Sequence, residues 1–246
     1  MQSHWEETLK VRAYDVDSNN RLKLSSVFNY MQDVASAHAD NLNVGWKALQ
    51  NENLFWVLSW VKIEFNNFPK FEDNIYIKTW PKGKHKLYAL RDFILSEGNN
   101  KVFGKAASAW LLLNSQTKRI NDLNKFLTNI PYSPNEHALN DLPEKINFEN
   151  LKETTFPKQA DYTDIDINEH VNNAKYIEYI QNCYDLDFHT KHRVKSLTMT
   201  FNSETKFGDR LEINKNLVDE HQHYIVALNQ QNGRTIFQAI VNWVKT

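Results

Sequence analysis

The sequence predicts an α+β protein made of two tandem copies of one unit, in which a strand is followed by a helix and then by an antiparallel meander. Three observations carry this. Phe65-Asn66-Asn67-Phe68-Pro69-Lys70-Phe71-Glu72-Asp73 lines up with Phe201-Asn202-Ser203-Glu204-Thr205-Lys206-Phe207-Gly208-Asp209 at one constant offset. Upstream, Asp15-Val16-Asp17-Ser18-Asn19 lines up with Asp164-Ile165-Asp166-Ile167-Asn168 at an offset 13 residues larger, which places an insertion of that size in the first copy, around Ala39 to Asn53. Both copies end in a Gly turn followed by an apolar strand, Gly98 to Leu113 and Gly233 to Val244. Composition alone does not generate shared order.

The first copy opens with Trp5 to Val16, where Leu9, Val11 and Ala13 alternate with Lys10, Arg12 and Tyr14, the pattern of a half-buried strand. After the polar run Asp15 to Arg21, Ser25 reads as an N-cap for a helix whose apolar stripe is Val27, Phe28, Met31, Val34, Ala35 and His38. Strand-like runs follow at Trp56 to Phe65, Ile75 to Trp80, Tyr88 to Ser96 and Val102 to Leu113. Asn114 to Lys158 is polar and holds Pro131, Pro134 and Pro143, which reads as connector with one short helix over Asp122 to Leu127. The expected organisation is a first repeat at 1–130, a linker at 131–157 and a second repeat at 158–246.

With 246 residues, 41% apolar and 24% charged, the chain has an ordinary globular composition and ample length for a core. A net charge of −1 gives no global field for nucleic acid. No apolar run approaches a membrane span, and Met1 to Glu7 lacks the basic-then-apolar order of a signal peptide. One cysteine, Cys183, excludes an internal disulfide and offers no metal cluster. These features lead to the expectation of a cytoplasmic protein that binds neither nucleic acid nor membrane.

The stretch with chemical potential is Asp164 to Asn173. If it is extended, Asp166, Asn168 and His170 project to one side. Asn172 is a good N-cap for the amphipathic run Ala174 to Ile180. An amide, an imidazole and a carboxylate would then stand at a helix N-terminus, whose N–H groups favour developing negative charge. Acyl transfer to water needs such a set; a polar loop with a capping Asn needs nothing more.

Comparing the copies localises any such site. The first has Asp17, Asn19 and Arg21 where the second has Asp166, Asn168 and His170, and Phe68 where the second has Glu204. Arg stays protonated and cannot serve as a base near neutral pH, so the equipment belongs to the second copy. Strict alternation after Leu197, Met199 and Phe201 puts Glu204 on the polar face, whereas a bulge near Asn202-Ser203 would turn it inward. Cys183, on the second helix, reads as a buried, inert thiol.

These residues resemble the acyl-acyl-carrier-protein thioesterases, a plant and bacterial family built as two hot-dog repeats in one chain. The resemblance covers essentially the whole chain. It is most specific in Asp166-Ile167-Asn168-Glu169-His170-Val171-Asn172-Asn173, similar to the family's Asp-x-Asn-x-His-x-Asn-Asn signature. It continues in Lys195 to Asp209, Thr79-Trp80-Pro81, Arg91-Asp92-Phe93 and Thr117-Lys118-Arg119. The resemblance implies a tandem hot-dog fold, in which each long helix is wrapped by a curved antiparallel sheet. It also implies catalytic roles for Asp166, Asn168, His170 and Glu204, with no metal and no organic cofactor. Plant members carry Cys after that Glu where this chain has Thr205, which argues for direct attack by water. The implied partner is an acyl carrier protein bearing a fatty acyl chain, and the enzyme would be a monomer or homodimer. Because that carrier is acidic, Lys82, Lys84, Lys86, Lys191, Arg193 and Lys195 are docking candidates. An acyl-CoA thioesterase, a hot-dog dehydratase and a non-catalytic acyl-binding module are the competing readings.

Overall fold

A computed structural model describes residues 1–98, 101–128, 130–147 and 154–246. The chain divides into two compact units, Met1–Pro143 and Glu144–Thr246.

The first unit runs β1 (Trp5–Lys10), α1 (Leu24–Asn41), α2 (Trp46–Asn51), β2 (Leu54–Phe65), β3 (Asn74–His85), β4 (Tyr88–Glu97), β5 (Lys101–Asn114) and α3 (Asn124–Leu127). Its strands lie side by side in the order β1-β3-β4-β5-β2, every pair antiparallel. All six residues of the expected α1 stripe are buried. Two local expectations fail. The opening strand stops at Lys10, because the Asp15 carboxylate accepts the Arg12 N–H at 2.9 Å and the Tyr30 hydroxyl at 2.5 Å, bending Ala13–Asp15 into a 3-10 turn. A side chain that bonds the local backbone in this way competes with a strand ladder. α1 then begins at Leu24 on an extended Lys23 with no side-chain cap bond, so Ser25 lies inside the helix.

Between α1 and β2, residues 42–53 carry α2. In the second unit the helix before the equivalent strand runs into it directly, so this is the insertion inferred from the repeat offsets. Beyond α3, residues 133–141 are fastened to β2, β3 and β4. Ser133 N–H donates to Pro81 O at 3.0 Å, Trp80 Nε1 to Glu136 O at 3.1 Å and Lys62 Nζ to Asp141 Oδ1 at 2.6 Å. Residues 148–153 of the expected linker lie outside the described residues.

The second unit runs β6 (Thr154–Gln159), α4 (Asn173–Gln181), α5 (Leu186–Lys191), β7 (His192–Phe201), β8 (Arg210–Leu217), β9 (Gln222–Asn229) and β10 (Thr235–Lys245). Its antiparallel order is β7-β10-β9-β8-β6. The helix that is continuous in the first unit is broken here at Asn182 to Asp185. Asp185 caps a new start by accepting the Phe188 N–H at 2.8 Å, and Tyr184 shares a 2.8 Å hydrogen bond with His223. Ile177 and Ile180 of α4 are fully buried, as are Leu197, Met199, Leu211 and Phe237 of the sheet. Burial of each such side chain stabilises by roughly 1.5–3 kcal/mol, which holds α4 in register with the strands.

Candidate active site

Between Ile165 and Val171 the chain makes a tight turn, not the extended run that alternation assumed. Asp166 N–H donates to His170 O at 2.8 Å, Glu169 N–H to Asp166 O at 3.0 Å, and Ile165 pairs with Val171 in an isolated antiparallel bridge. Glu169 takes a left-handed φ of 63° to close the turn. The Asp166 carboxylate accepts the Asn168 N–H at 2.8 Å, the short-range bond that Asp forms readily two residues ahead. Asp166 and Asn168 are therefore joined through the turn's backbone. Asn168 is exposed and His170 half-buried.

Glu204 reaches His170 by a kink. β7 ends at Phe201, and the N–H groups of Asn202 and Ser203 both donate to Ile236 O, at 2.8 and 3.2 Å. Two donors on one carbonyl mark the departure from the ladder that the bulge reading required. Val171 N–H then donates to Thr205 O at 2.9 Å. That bond joins the residues next to His170 and Glu204, and the two side chains meet with Nε2 3.0 Å from Oε2. The imidazole is 18% exposed and the carboxylate 38%, so the pair has one open side.

The start of α4 completes the surroundings. Asn172 caps it by accepting the Ala174 N–H at 2.9 Å, as its sequence position predicted. Its own N–H donates to Asp164 O at 2.9 Å. Asp164 is the pin between turn and helix, accepting the Asp161 N–H at 2.9 Å and the Tyr179 hydroxyl at 2.7 Å, with Lys158 at 3.1 Å. Burial works against its charge, yet these donors outweigh it and hold the carboxyl below the usual range. Tyr176 packs beneath the turn. Burial pushes its hydroxyl up to about 12, and the nearby charges of Asp166 and Glu204 add to the rise.

The same backbone turn recurs in the first unit. Asp17 N–H donates to Arg21 O at 2.8 Å, Asn20 N–H to Asp17 O at 3.0 Å and Leu22 N–H to Pro69 O at 2.8 Å. Here Arg21 is ion-paired with Asp17 at 3.1 Å. Asp164 and Tyr179 were missed by sequence reasoning. Their counterparts Asp15 and Tyr30 make the same contact in a copy that lacks the His and Glu, so the pair belongs to the fold.

One docking candidate needs correcting. Lys82 is 8% exposed; its ammonium lies 3.1 Å from the buried Asp92 carboxylate and donates to Leu139 O at 3.0 Å. A charge neutralised inside the unit presents nothing to a partner. Lys84 donates to Asn124 Oδ1 at 3.0 Å and Lys191 lies 2.7 Å from Asp187, both near solvent. Lys86 and Lys195 are exposed and Arg193 half-buried. Among the described residues, no group of three or more His, Cys, Asp or Glu side chains is placed to hold a metal ion.

Two family profiles match the chain. That of the acyl-ACP thioesterase N-terminal domain covers residues 2–130, and that of the acyl-ACP thioesterase C-terminal domain covers residues 148–245. The chain belongs to the acyl-ACP thioesterase family. Among relatives of this thioesterase family member, the chloroplastic oleoyl-acyl carrier protein thioesterase 2 of Arabidopsis thaliana is 26% identical over 223 residues, or 83% of this chain and 60% of the relative. The chloroplastic palmitoyl-acyl carrier protein thioesterase of Cuphea hookeriana is 24% identical over 217 residues, 81% of this chain and 51% of the relative. The chain thus spans three fifths or less of the length of these two plant relatives. An acyl-ACP thioesterase from Bacteroides thetaiotaomicron superposes with a TM-score of 0.88 at 25% identity, covering 98% of both chains. The 12:0-ACP thioesterase of Umbellularia californica gives 0.89 at 17% identity over 100% and 99%. The fold is the tandem hot dog. No helix among the described residues is long and apolar enough to cross a membrane.

Proposed function

We propose that this chain hydrolyses fatty acyl thioesters of acyl carrier protein to free fatty acid and carrier thiol, with Asp166, Asn168, His170 and Glu204 of the second unit as its working residues. The observation that carries this reading is the 3.0 Å contact between His170 and Glu204 beside the start of α4, in a member of this family. Water attacks the thioester carbonyl carbon, and the His170–Glu204 pair accepts its proton. Negative charge then develops on the carbonyl oxygen, where the exposed Asn168 amide and the positive end of the α4 dipole stabilise it. As the carbon–sulfur bond breaks, the proton returns to the departing thiolate. Asp166 acts earlier in the chain of causes, by holding the turn that presents Asn168 and His170.

The acyl carrier protein is the proposed partner. Lys84, Lys86, Lys191, Arg193 and Lys195 remain the cationic candidates for docking its acidic surface, and the proposed location is the cytoplasm. The test is release of free thiol from parallel panels of acyl-carrier-protein and acyl-CoA substrates, with His170→Ala and Glu204→Gln beside wild type. The reading expects turnover on carrier-protein substrates, reduced about a hundredfold or more in each variant, as removal of an acid/base group does. Preference for CoA substrates would move the partner but keep the chemistry. No turnover on either panel would replace the enzyme with an acyl-binding module.

A further inference from the structure

The two units share the backbone of the turn, so the side chains that differ around it mark what the second unit has added. His170 replaces Arg21 and Glu204 replaces Phe68. Two further positions change in concert: Tyr176 stands where the first copy has Val27, and Thr205 where it has Pro69. Both exchanges replace an apolar side chain with a hydroxyl, and both residues are buried.

The backbone consequence is specific. Pro69 locks its own φ and restricts Phe68 before it. Thr205 removes both constraints, the second of them from Glu204, although its carbonyl still accepts the Val171 N–H at 2.9 Å. Something else must then fix the Glu204 segment. The Thr205 hydroxyl is fully buried and has no partner of good hydrogen-bond geometry among the described residues; the hydroxyl of Tyr176 lies within hydrogen-bonding reach of Thr205. The Tyr176 ring is itself held by the core, with centroids 6.0 Å from Tyr179, 6.1 Å from Phe201 and 5.4 Å from Phe237.

We infer that Tyr176 is a positioning residue which, through Thr205, sets where Glu204 meets His170. Its link to catalysis rests on the thioesterase reading above; its link to geometry does not. Core filling alone would be satisfied by Phe, so the hydroxyl is the part to be tested.

Tyr176→Phe keeps the ring and removes the hydroxyl, Thr205→Val removes its neighbour, and Thr205→Ser retains that neighbour. The first measurement needs no activity: the ring signals of His170 in proton–nitrogen NMR, assigned with His170→Ala, with Glu204→Gln defining the positions of a lost pair. Tyr176→Phe and Thr205→Val are expected to move the His170 signals towards those of Glu204→Gln, while Thr205→Ser leaves them near wild type. The second measurement is turnover on acyl-carrier-protein substrate. There kcat should fall about tenfold for Tyr176→Phe with KM nearly constant, the pattern of a displaced group, and Thr205→Ser should stay close to wild type. His170 signals that ignore both Tyr176→Phe and Thr205→Val would overturn the inference. Signals that move as expected in a protein with no thioesterase turnover would uphold the positioning and remove the proposed reaction instead.

Discussion

His170 Nε2 lies 3.0 Å from Glu204 Oε2, whereas Arg21, at the matching place in the first repeat, pairs with Asp17 from its own turn at 3.1 Å. One backbone thus supports two different side-chain pairs, and only that of the second unit joins residues from separate segments. That contrast lets function and stability be separated by experiment.

A pair 18% and 38% exposed adds little to stability, on the order of 0–1 kcal/mol. His170→Ala, Glu204→Gln and the double variant should therefore unfold within about 1 kcal/mol of wild type in urea. In turnover the three should fall together, the double variant losing no more than the worse single, because residues acting as a unit are strongly non-additive. Losses that multiply would show two independent roles.

Lys82 and Asp92 should behave in the opposite way. Their side chains are 5% and 0% exposed, and Asp92 also accepts the Ala138 N–H at 2.8 Å. Lys82→Met leaves a carboxylate buried without its cation, and such a loss costs about 3–5 kcal/mol. The denaturation midpoint should drop accordingly, and limited proteolysis should open residues 133–141 first. Lys82→Met combined with Asp92→Leu should recover much of the loss. Equal stability of wild type and Lys82→Met would disprove the buried pair.

His38 makes stability depend on pH. It is fully buried and accepts a hydrogen bond from Arg91 at 3.0 Å, with no carboxylate bonded to it among the described residues; its other ring nitrogen bonds Gln2 O at 2.9 Å. Burial, with the Arg91 and His4 charges adding, lowers it from 6.5 to about 4, against the opposing Gln2 bond. A folded value below the unfolded one means that the unfolded chain binds the proton first. The stability is fully present above pH 6.5 and is lost as pH falls towards about 4, on the order of 3 kcal/mol in all. Melting temperature followed across that window should decline in wild type and decline less in His38→Gln. Parallel curves would remove His38 from the account.

Cys183 should be silent. It is 2% exposed, donates to Tyr179 O at 3.3 Å, and burial pushes its thiol up to about 12, against the opposing charge of Lys215. Only a very small fraction is thiolate near neutral pH. A thiol reagent should label it only on unfolding, and Cys183→Ala should keep turnover. Fast labelling of the native protein would refute both statements.

The repeat, the helix-plus-meander order, the buried stripe of α1 and the Asn172 cap were legible in the sequence. Each rests on spacing within one segment, where the chain's own periodicity decides which side chains share a face. The insertion was legible because two copies of one pattern provide an internal ruler. What defeated the reading was side-chain bonding to nearby backbone. Asp15 ended β1 early, and Asp166 curled an apparently extended run into a turn.

The sequence by itself therefore determined the class of fold, the second repeat as the place to look, and the identity of the groups available there. Only the tertiary structure decided that Glu204 leaves β7 through a kink to meet His170, that Thr205 and Tyr176 stand behind it, and that Lys82 is interior. Strict period-two alternation put Glu204 on the polar face, and a bulge turned it inward, since a single bulge reverses every later face. A lysine run looks the same whether its charge meets water or a buried carboxylate. The partner that settles the matter lies elsewhere in the chain, and only folding brings it near.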